Sequence, residues 1–431
     1  MTVIDETHDP ALRSWLASAH EPGSDFPIQN LPFGVFQRDG QQPRCGVRIG
    51  DQVLDLAGLA AARLVDDACA GPSLNRVMAL SSDQRRALRH RLSTLLRHGS
   101  HERARVEAQL IAASQVQMVL PAVIGDYTDF YASIHHATNI GTMLRPDNPL
   151  LPNYKYIPIA YHGRSSSVVV SGTEIRRPRG QTRNDPNVPP VFTTSARLDY
   201  EVEIGAFIAH GNAQGVPIPL DQAEEHLFGV CLLNDWSARD LQAWEYQPLG
   251  PFLAKNFATS ISPWIVTREA LAPFRSPAYQ RPAGDPQPLD YLRSTANQTH
   301  GAIDLTIEAH LTSAAMRAKG LPALRLSQGS MRDLYWTTAQ MVTHHASNGC
   351  NLRPGDLLGS GTISGEAKES WGSLMELSWR GSKPLDLPSG ERRTFLEDGD
   401  ELILRGFAQR DGYVRIGLGE CRGVVMPAVG A

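Results

Sequence analysis

The sequence predicts an α+β fold dominated by β-structure, with a small N-terminal domain over residues 1–120 and a larger β-rich domain over residues 121–431. Three observations lead there. Short apolar runs bounded by turn residues recur along a chain that holds 37 Gly and 30 Pro. Helical patterns are few, and they do not alternate with the strands as a doubly wound parallel sheet requires. A chain of 431 residues has room for two or three domains and can bury a core without disulfides or structural metal.

In the first region, residues 34–37 and 45–56 read as strands, with Asp39-Gly40 and Gly50-Asp51 as turn signals, which suits a small antiparallel barrel or sheet. A helix follows. Ser81 and Gln84 have capping-box spacing, Leu88, Leu92, Leu95 and Leu96 form one apolar stripe, and Gly99 is the stop. Arg85, Arg86, Arg89, Arg91 and Arg97 on that helix read as a solvated face, with an anion-binding patch as the sharper alternative. In the second region, strands are expected at 167–170, 200–208, 227–233, 263–266, 305–311, 374–379, 401–407 and 413–417. Helices are expected around 129–140, 236–246 and 331–347, the last capped by Ser330 and ended by Gly349.

Composition excludes several classes of function. The 41 Lys and Arg against 45 Asp and Glu leave a net charge of −4, with none of the basic excess of a nucleic-acid surface. No run approaches the ~18 to 20 apolar residues that cross a bilayer. The first twenty residues, with Asp5, Glu6 and Asp9, do not read as a secretory signal. Cys45, Cys69, Cys231, Cys350 and Cys421 are scattered and form no C-x-x-C pair, so a reducing cytoplasm is expected. No H-E-x-x-H, P-loop or G-x-S-x-G motif is present. Gly359-Gly361-Gly365 and Gly417-Gly419-Gly423 miss the dinucleotide spacing by one residue, so no nucleotide cofactor is expected.

Chemistry concentrates in three segments. Leu198, Tyr200, Val202 and Ile204 alternate with Asp199, Glu201 and Glu203. In a strand, Glu201 and Glu203 would stand side by side about 7 Å apart, where paired carboxylates favour a hard divalent cation. The segment alone also reads as a half-buried strand with a solvated acidic face. Asp235 ends the apolar run 227–233, and the helix after it places Arg239, Gln242 and Tyr246 on one face. That set suits a polar or anionic substrate, and surface pairing of Arg239 with Asp240 or Glu245 is the plainer reading. Asp129 and His136 are spaced to share a helical face, with Tyr131 and Arg145 nearby. Of the neighbours His135 and His136 only one can face a given site, and His344 and His345 read as structural.

Longer motifs carry a resemblance. The segments DFPIQNLPFGVF (25–36), GDYTDFY (125–131) with 136–141, YHGR (161–164), NDWSARD (234–240), WEYQPLGPF (244–252), NLRPGDLL (351–358) and SGTISG (360–365) resemble the fumarylacetoacetase family over nearly the whole chain. The resemblance implies a small SH3-like N-terminal β-barrel and a C-terminal mixed-sheet β-roll that binds metal. It implies hydrolysis of a carbon–carbon bond in a β-diketone dicarboxylate to fumarate and acetoacetate, the last step of tyrosine and phenylalanine breakdown.

By the same resemblance, the cation ligands fall on Asp129, Glu201, Glu203 and Asp235, and a second, structural magnesium position on Asp235, Lys255 and Thr259. The catalytic histidine falls on His136 and its partner carboxylate on Glu376. Groups that hold or polarise the substrate fall on Tyr131, Arg145, Tyr161, Arg239, Gln242, Tyr246, Lys255 and Thr362. Calcium or magnesium, with manganese possible, is the expected cation, and a cytoplasmic homodimer the expected form. Related superfamily reactions such as acylpyruvate hydrolysis, and a non-catalytic metal-binding or assembly protein, stand as the alternatives.

Overall fold

The structure, a computed structural model, describes residues 3–38, 40–183, 185 and 187–430, so Asp39 of the expected Asp39-Gly40 turn lies outside the described residues. Phe33–Gln37 pairs with Arg44–Ile49 and Gln117–Val119, and Gln52–Asp55 and Leu110–Ala112 complete a five-stranded antiparallel half-barrel. The turn between its second and third strands needs Gly50, whose φ of +52° would strain any other residue. Helix Ser82–Leu96 starts at the Ser81/Gln84 capping box and buries Leu88, Leu92, Leu95 and Leu96. Two of its five arginines depart from the expected solvated face, while Arg86 and Arg97 are exposed. Arg85 and Arg89 are buried, and Arg89 donates to Thr7 Oγ1 and to the carbonyls of Asn30 and Gln29, fastening the N-terminal segment.

Two further sheets build the rest. A mixed eight-stranded sheet runs in the order Ala160–His162, Tyr127–Phe130, Leu357–Gly359, Val202–Ile208, Leu227–Asp235, Thr259–Ile261, Val168–Val170, with Val266–Thr267 also on Leu227–Asp235. A five-stranded sheet runs Leu324–Ser330, Thr306–Thr312, Glu401–Ala408, Ile416–Met426, Ile175–Arg176. The run 227–233 is apolar throughout because both faces of its strand are covered. Phe228, Cys231 and Leu233 pack with Phe33, Val35 and Leu54 of the half-barrel. Val230 and Leu232 pack with Ile307, Leu404 and Leu418 of the five-stranded sheet. The chain is thus α+β and mostly β, as expected, in three layers. Among the described residues no helix is long and apolar enough to cross a membrane.

Several elements differ from expectation. The segment expected as a helix over 129–140 is strand Tyr127–Phe130 followed by helix Ile134–Leu144, capped by Ser133, because Tyr127–Phe130 is recruited between two strands. Residues 236–246 split likewise: Ser237–Ala238 pairs with Leu198–Asp199 before helix Arg239–Glu245 begins. The 331–347 segment is a short 3-10 turn at Met331–Asp333 and a helix Thr338–Ala346 capped by Thr337 and Gln340. Residues 374–379, expected as a strand, hold the one-turn helix Leu374–Leu377. Its signal is Ser373-x-x-Glu376, in which the Ser373 hydroxyl accepts from the Glu376 amide at 3.3 Å.

Candidate active site

The expected cation ligands meet at one end of the eight-stranded sheet. Asp129 is the penultimate residue of strand Tyr127–Phe130, opposite Gly359, Glu203 lies early in Val202–Ile208, and Asp235 closes Leu227–Asp235. Glu201 stands just ahead of its strand and receives the Asp235 amide on its carbonyl. The four carboxylates each bring an oxygen within 4.8 Å of the others, and all four are buried. Burial decides between the two readings of the acidic strand, since a solvated face is exposed by definition. Gly359 leaves room for the cluster: a Cβ there would lie 2.4 Å from Asp129 Oδ1 and 3.0 Å from Glu203 Oε2. The Gly361 amide donates to Asp129 Oδ1 at 3.3 Å and to Glu203 Oε2 at 3.1 Å.

Two cations sit at one side of this cluster. Lys255 Nζ pairs with Glu201 Oε2 and lies 2.6 Å from Asp235 Oδ2. Arg239 Nη1 lies 2.8 Å from Glu201 Oε1 and donates to Gln242 Oε1 at 3.1 Å. Tyr161 donates to Asp235 Oδ2 at 2.8 Å and Thr259 to Asp235 Oδ1 at 3.0 Å. Burial opposes the charge of Glu201, but Lys255 and Arg239 outweigh it and hold its carboxyl well below the usual range. Among the described residues Asp129 and Glu203 make no ion pair, and Lys255 acts on them only at longer range. Burial, reinforced by the neighbouring carboxylates, pushes both well above the usual carboxylate range.

The residues present fit a divalent cation. Glu203 Oε1 is buried without any hydrogen-bond partner, an expensive position for a carboxylate oxygen unless a cation meets it. Four carboxylates, with Asp199 sharing Arg239 with Glu201, outnumber Lys255 and Arg239 and leave an excess of negative charge that a dication offsets. Oxygen-only ligation suits a hard ion. The ammonium of Lys255 has no lone pair, so only its carbonyl oxygen could join a cation, whereas Thr259 could offer its hydroxyl.

Beside the cluster lies a cavity of about 490 Å³, and Asp129, Glu201 and Lys255 form part of its wall. His136, near the start of helix Ile134–Leu144, lines it, while His135 does not and meets Tyr279 edge-on. Glu376 sits behind the imidazole, outside the cavity lining, with Oε2 2.7 Å from His136 Nδ1. That carboxylate is fully buried and also accepts from Asn139 at 2.9 Å, Ser364 at 3.0 Å and Ser373 at 2.8 Å. Burial works against its charge, and His136 together with these donors prevails and holds it below its ordinary value. With Nδ1 engaged, the proton belongs on Nδ1 and the lone pair on Nε2.

Tyr131, Arg145, Tyr161, Arg239, Gln242, Tyr246 and Thr362 all line the same cavity. Tyr131 packs edge-on to His136, with ring centroids 5.4 Å apart. Glu203, Asp235, Thr259 and Glu376 do not line it and act from behind the wall. The structure adds residues that the sequence did not single out. Arg197 lines the cavity, and among the described residues neither it nor Arg145 makes an ion pair. Asn139, Ser364, Ser373 and Gly361 serve the two carboxylate groups: Asn139, Ser364 and Gly361 lie in the segments that carry the family resemblance without a role read for them, and Ser373 has capping spacing to Glu376.

Comparison with known proteins places this arrangement. Residues 127–426 match the family described as fumarylacetoacetate (FAA) hydrolase C-terminal, and residues 29–121 match fumarylacetoacetase N-terminal. The chain belongs to the fumarylacetoacetase family. The fumarylacetoacetase of Rattus norvegicus is 48% identical over 426 residues, covering 94% of this chain and 97% of the relative. That of Arabidopsis thaliana is 46% identical over 431 residues, covering 96% and 99%. Among solved structures, the fumarylacetoacetate hydrolase of psychrophilic Exiguobacterium antarcticum superposes with a TM-score of 0.50 at 17% identity, covering 92% of this chain and 99% of that one, which speaks to the fold alone. Both relatives align with nearly the whole of this chain, 94% and 96% of it.

Proposed function

We propose that this protein hydrolyses the carbon–carbon bond of fumarylacetoacetate, giving fumarate and acetoacetate. The observation that carries the reading is the meeting, in one cavity wall, of a buried four-carboxylate cluster and a carboxylate-backed imidazole. Relatives named fumarylacetoacetase at 46–48% identity support the substrate. Asp129, Glu201, Glu203 and Asp235 hold the cation, with calcium or magnesium favoured by the oxygen donors and manganese compatible. When bound, that ion supplies positive charge for the diketone oxygens and for the enolate that departs.

The chain's own groups account for the proton traffic. His136 Nε2 takes a proton from water, whose oxygen bonds to the carbonyl carbon beside the fumaryl double bond. Glu376 supports the imidazolium that forms. Arg239 Nη2, buried without a partner, and Lys255 are donors at the cavity wall suited to the oxyanion, each worth about 3 kcal/mol when preorganised. The bond to the methylene carbon then breaks, its electron pair delocalises into the remaining ketone, and the proton on His136 returns to that carbon. Arg145 and Tyr161 suit the substrate's terminal carboxylates, and Arg197, which lines the same cavity and makes no ion pair among the described residues, is a second guanidinium suited to them. Tyr131, Gln242, Tyr246 and Thr362 orient the diketone between these ends.

A second magnesium at Asp235, Lys255 and Thr259 would act structurally, behind the cavity. We assign residues 1–120 as an accessory domain and 121–431 as the catalytic one. Five free thiols suit a reducing cytoplasm, and the exposed Val191, Phe192, Leu249 and Phe252 suit self-association as a homodimer. Following the diketone absorbance of fumarylacetoacetate, with and without a chelator, tests the reading. Turnover is expected with Ca²⁺ or Mg²⁺ and is expected to vanish on chelation and in His136→Ala. An absence of turnover with metal present removes the proposed reaction.

A further inference from the structure

One buried carboxylate belongs to none of the groups assigned so far. Asp199 is fully buried, and its strand Leu198–Asp199 is fixed by pairing with Ser237–Ala238 just ahead of helix Arg239–Glu245. Its Oδ2 accepts from Arg239 Nε at 2.8 Å and from the Met375 amide at 3.1 Å. Its Oδ1 accepts from the Leu374 amide at 2.8 Å and the Tyr200 amide at 2.9 Å. Leu374 and Met375 open the one-turn helix whose third residue is Glu376.

Each contact has a consequence at the cavity. A four-residue helix has too few internal bonds to hold its own place, so its position follows from whatever its first amides bond. Here Asp199 takes the first two and Ser373 takes the third. The helix in turn carries the carboxylate that lies 2.7 Å from His136 Nδ1. On the other side, Arg239 is gripped through Nε by Asp199 and through Nη1 by Glu201, which leaves Nη2 buried and unpartnered at the cavity wall. The two gripping carboxylates are two residues apart in sequence, so they come to the guanidinium from one short stretch of backbone.

We propose that Asp199 is a positioning residue that fixes, with one carboxylate, both the Arg239 guanidinium and the helix that holds Glu376 against His136. The proposal rests on the reaction read above for its kinetic consequences and on geometry alone for its structural one. It touches no substrate and acts through Arg239 and Glu376. Loss of the charge should therefore damage binding and proton transfer together, whereas damage to the helix alone should spare binding.

The test is Asp199→Asn, which keeps the volume but sets an NH₂ against either Arg239 Nε or the helix amides. In the folded variant, kcat on fumarylacetoacetate is expected to fall about thirtyfold or more and KM to rise about threefold or more, as lost charge-assisted bonds on two functional groups imply. Ser373→Ala, which loosens the helix and removes one donor from the Glu376 carboxylate without touching Arg239, should lower kcat with KM unchanged. The low-field proton resonance of His136 Nδ1–H, assigned by its disappearance in His136→Gln, should move upfield or broaden in both variants. That signal needs no turnover, so an inactive wild type would overturn the reaction while the resonance still judges Asp199. Folded Asp199→Asn with both constants within twofold of wild type and an unmoved resonance overturns the proposal. Asp199→Ser serves where the Asn variant is insoluble, and failure of both to fold assigns Asp199 to the fold itself and overturns it equally.

Discussion

Replacing Glu376 by Gln should cost this protein catalysis far more than structure. Three of the four donors on the carboxylate, from His136, Ser364 and Ser373, converge on Oε2, and only Asn139 reaches Oε1. A glutamine with its oxygen at the Oε2 position keeps all three, and Asn139 can turn its own amide to present oxygen to the new NH₂. What is lost is the charge facing the imidazolium. Hydrogen bonds to charged groups contribute roughly 1.5–3 kcal/mol, so kcat should fall about ten- to a hundredfold. Glu376 does not line the cavity, so KM should stay within about threefold. The pH dependence has a definite sign. Because the folded carboxyl titrates below its ordinary 4.5, its stabilising contribution is present above pH 4.5 and is lost as pH falls through the lower folded value. The Tm gap between wild type and Glu376→Gln should accordingly narrow as the pH of the scan is lowered past 4.5. Steady-state kinetics at neutral pH with calorimetry across acid pH reads both effects. A folded variant with wild-type kcat would refute the role given to the pair.

Three further outcomes are expected. Gly359→Ala puts a Cβ 2.4 Å from Asp129 Oδ1 and should abolish most of the Tm gain that Ca²⁺ or Mg²⁺ gives the chelator-treated wild type, a gain worth about 2.7 kcal/mol at a hundred times Kd. An aromatic disulfide reagent should titrate one thiol rapidly in the native protein, Cys350, and all five after denaturation, since burial pushes Cys45 and Cys69 up to about 12 and the remaining two are also buried. Rapid reaction of two or more native thiols would contradict the packing described. Arg89→Ala removes three buried bonds to Thr7, Gln29 and Asn30 and should lower unfolding stability by at least about 3 kcal/mol in urea, with proteolysis beginning in the N-terminal segment.

How much of this was legible before the structure depends on what each signal measures. The strand expected over 227–233, observed as Leu227–Asp235, and the helix Ser82–Leu96 are readable because the pattern of apolar residues reports burial directly, two-faced in one case and one-faced in the other. Asp129 and His136 were paired for a wrong local reason: their spacing suggested one helix, whereas a strand carries the aspartate and a separate helix the histidine. The pairing survives because Tyr127–Phe130 inserts beside Leu357–Gly359, a contact between residues more than 200 apart that no local pattern encodes. The one-turn helix at Glu376 was misread as a strand because apolar Leu374, Met375 and Leu377 outweighed the Ser373 cap. Asp199 went unassigned because its partners, Arg239 and the amides of 374 and 375, are reached only through tertiary structure.

The same layering explains where the acids can exist at all. Tyr127, Phe207 and Leu233 face the half-barrel core, and Asp129, Glu203 and Asp235 lie on the same strands at positions of the same parity. One face of the sheet therefore changes from apolar to acidic within two residues on two of these strands and four on the third. Apolar side chains on that face keep water from the rear of the carboxylates, so their repulsion is not screened as it would be at a surface. That is the condition under which Asp129 and Glu203 resist ionising alone and under which Lys255, Arg239 and a dication together offset the buried negative charge. The half-barrel supplies part of that dry backing through Phe33, Val35 and Leu54. Its contribution to the site is then electrostatic as well as mechanical, although none of its residues lines the cavity.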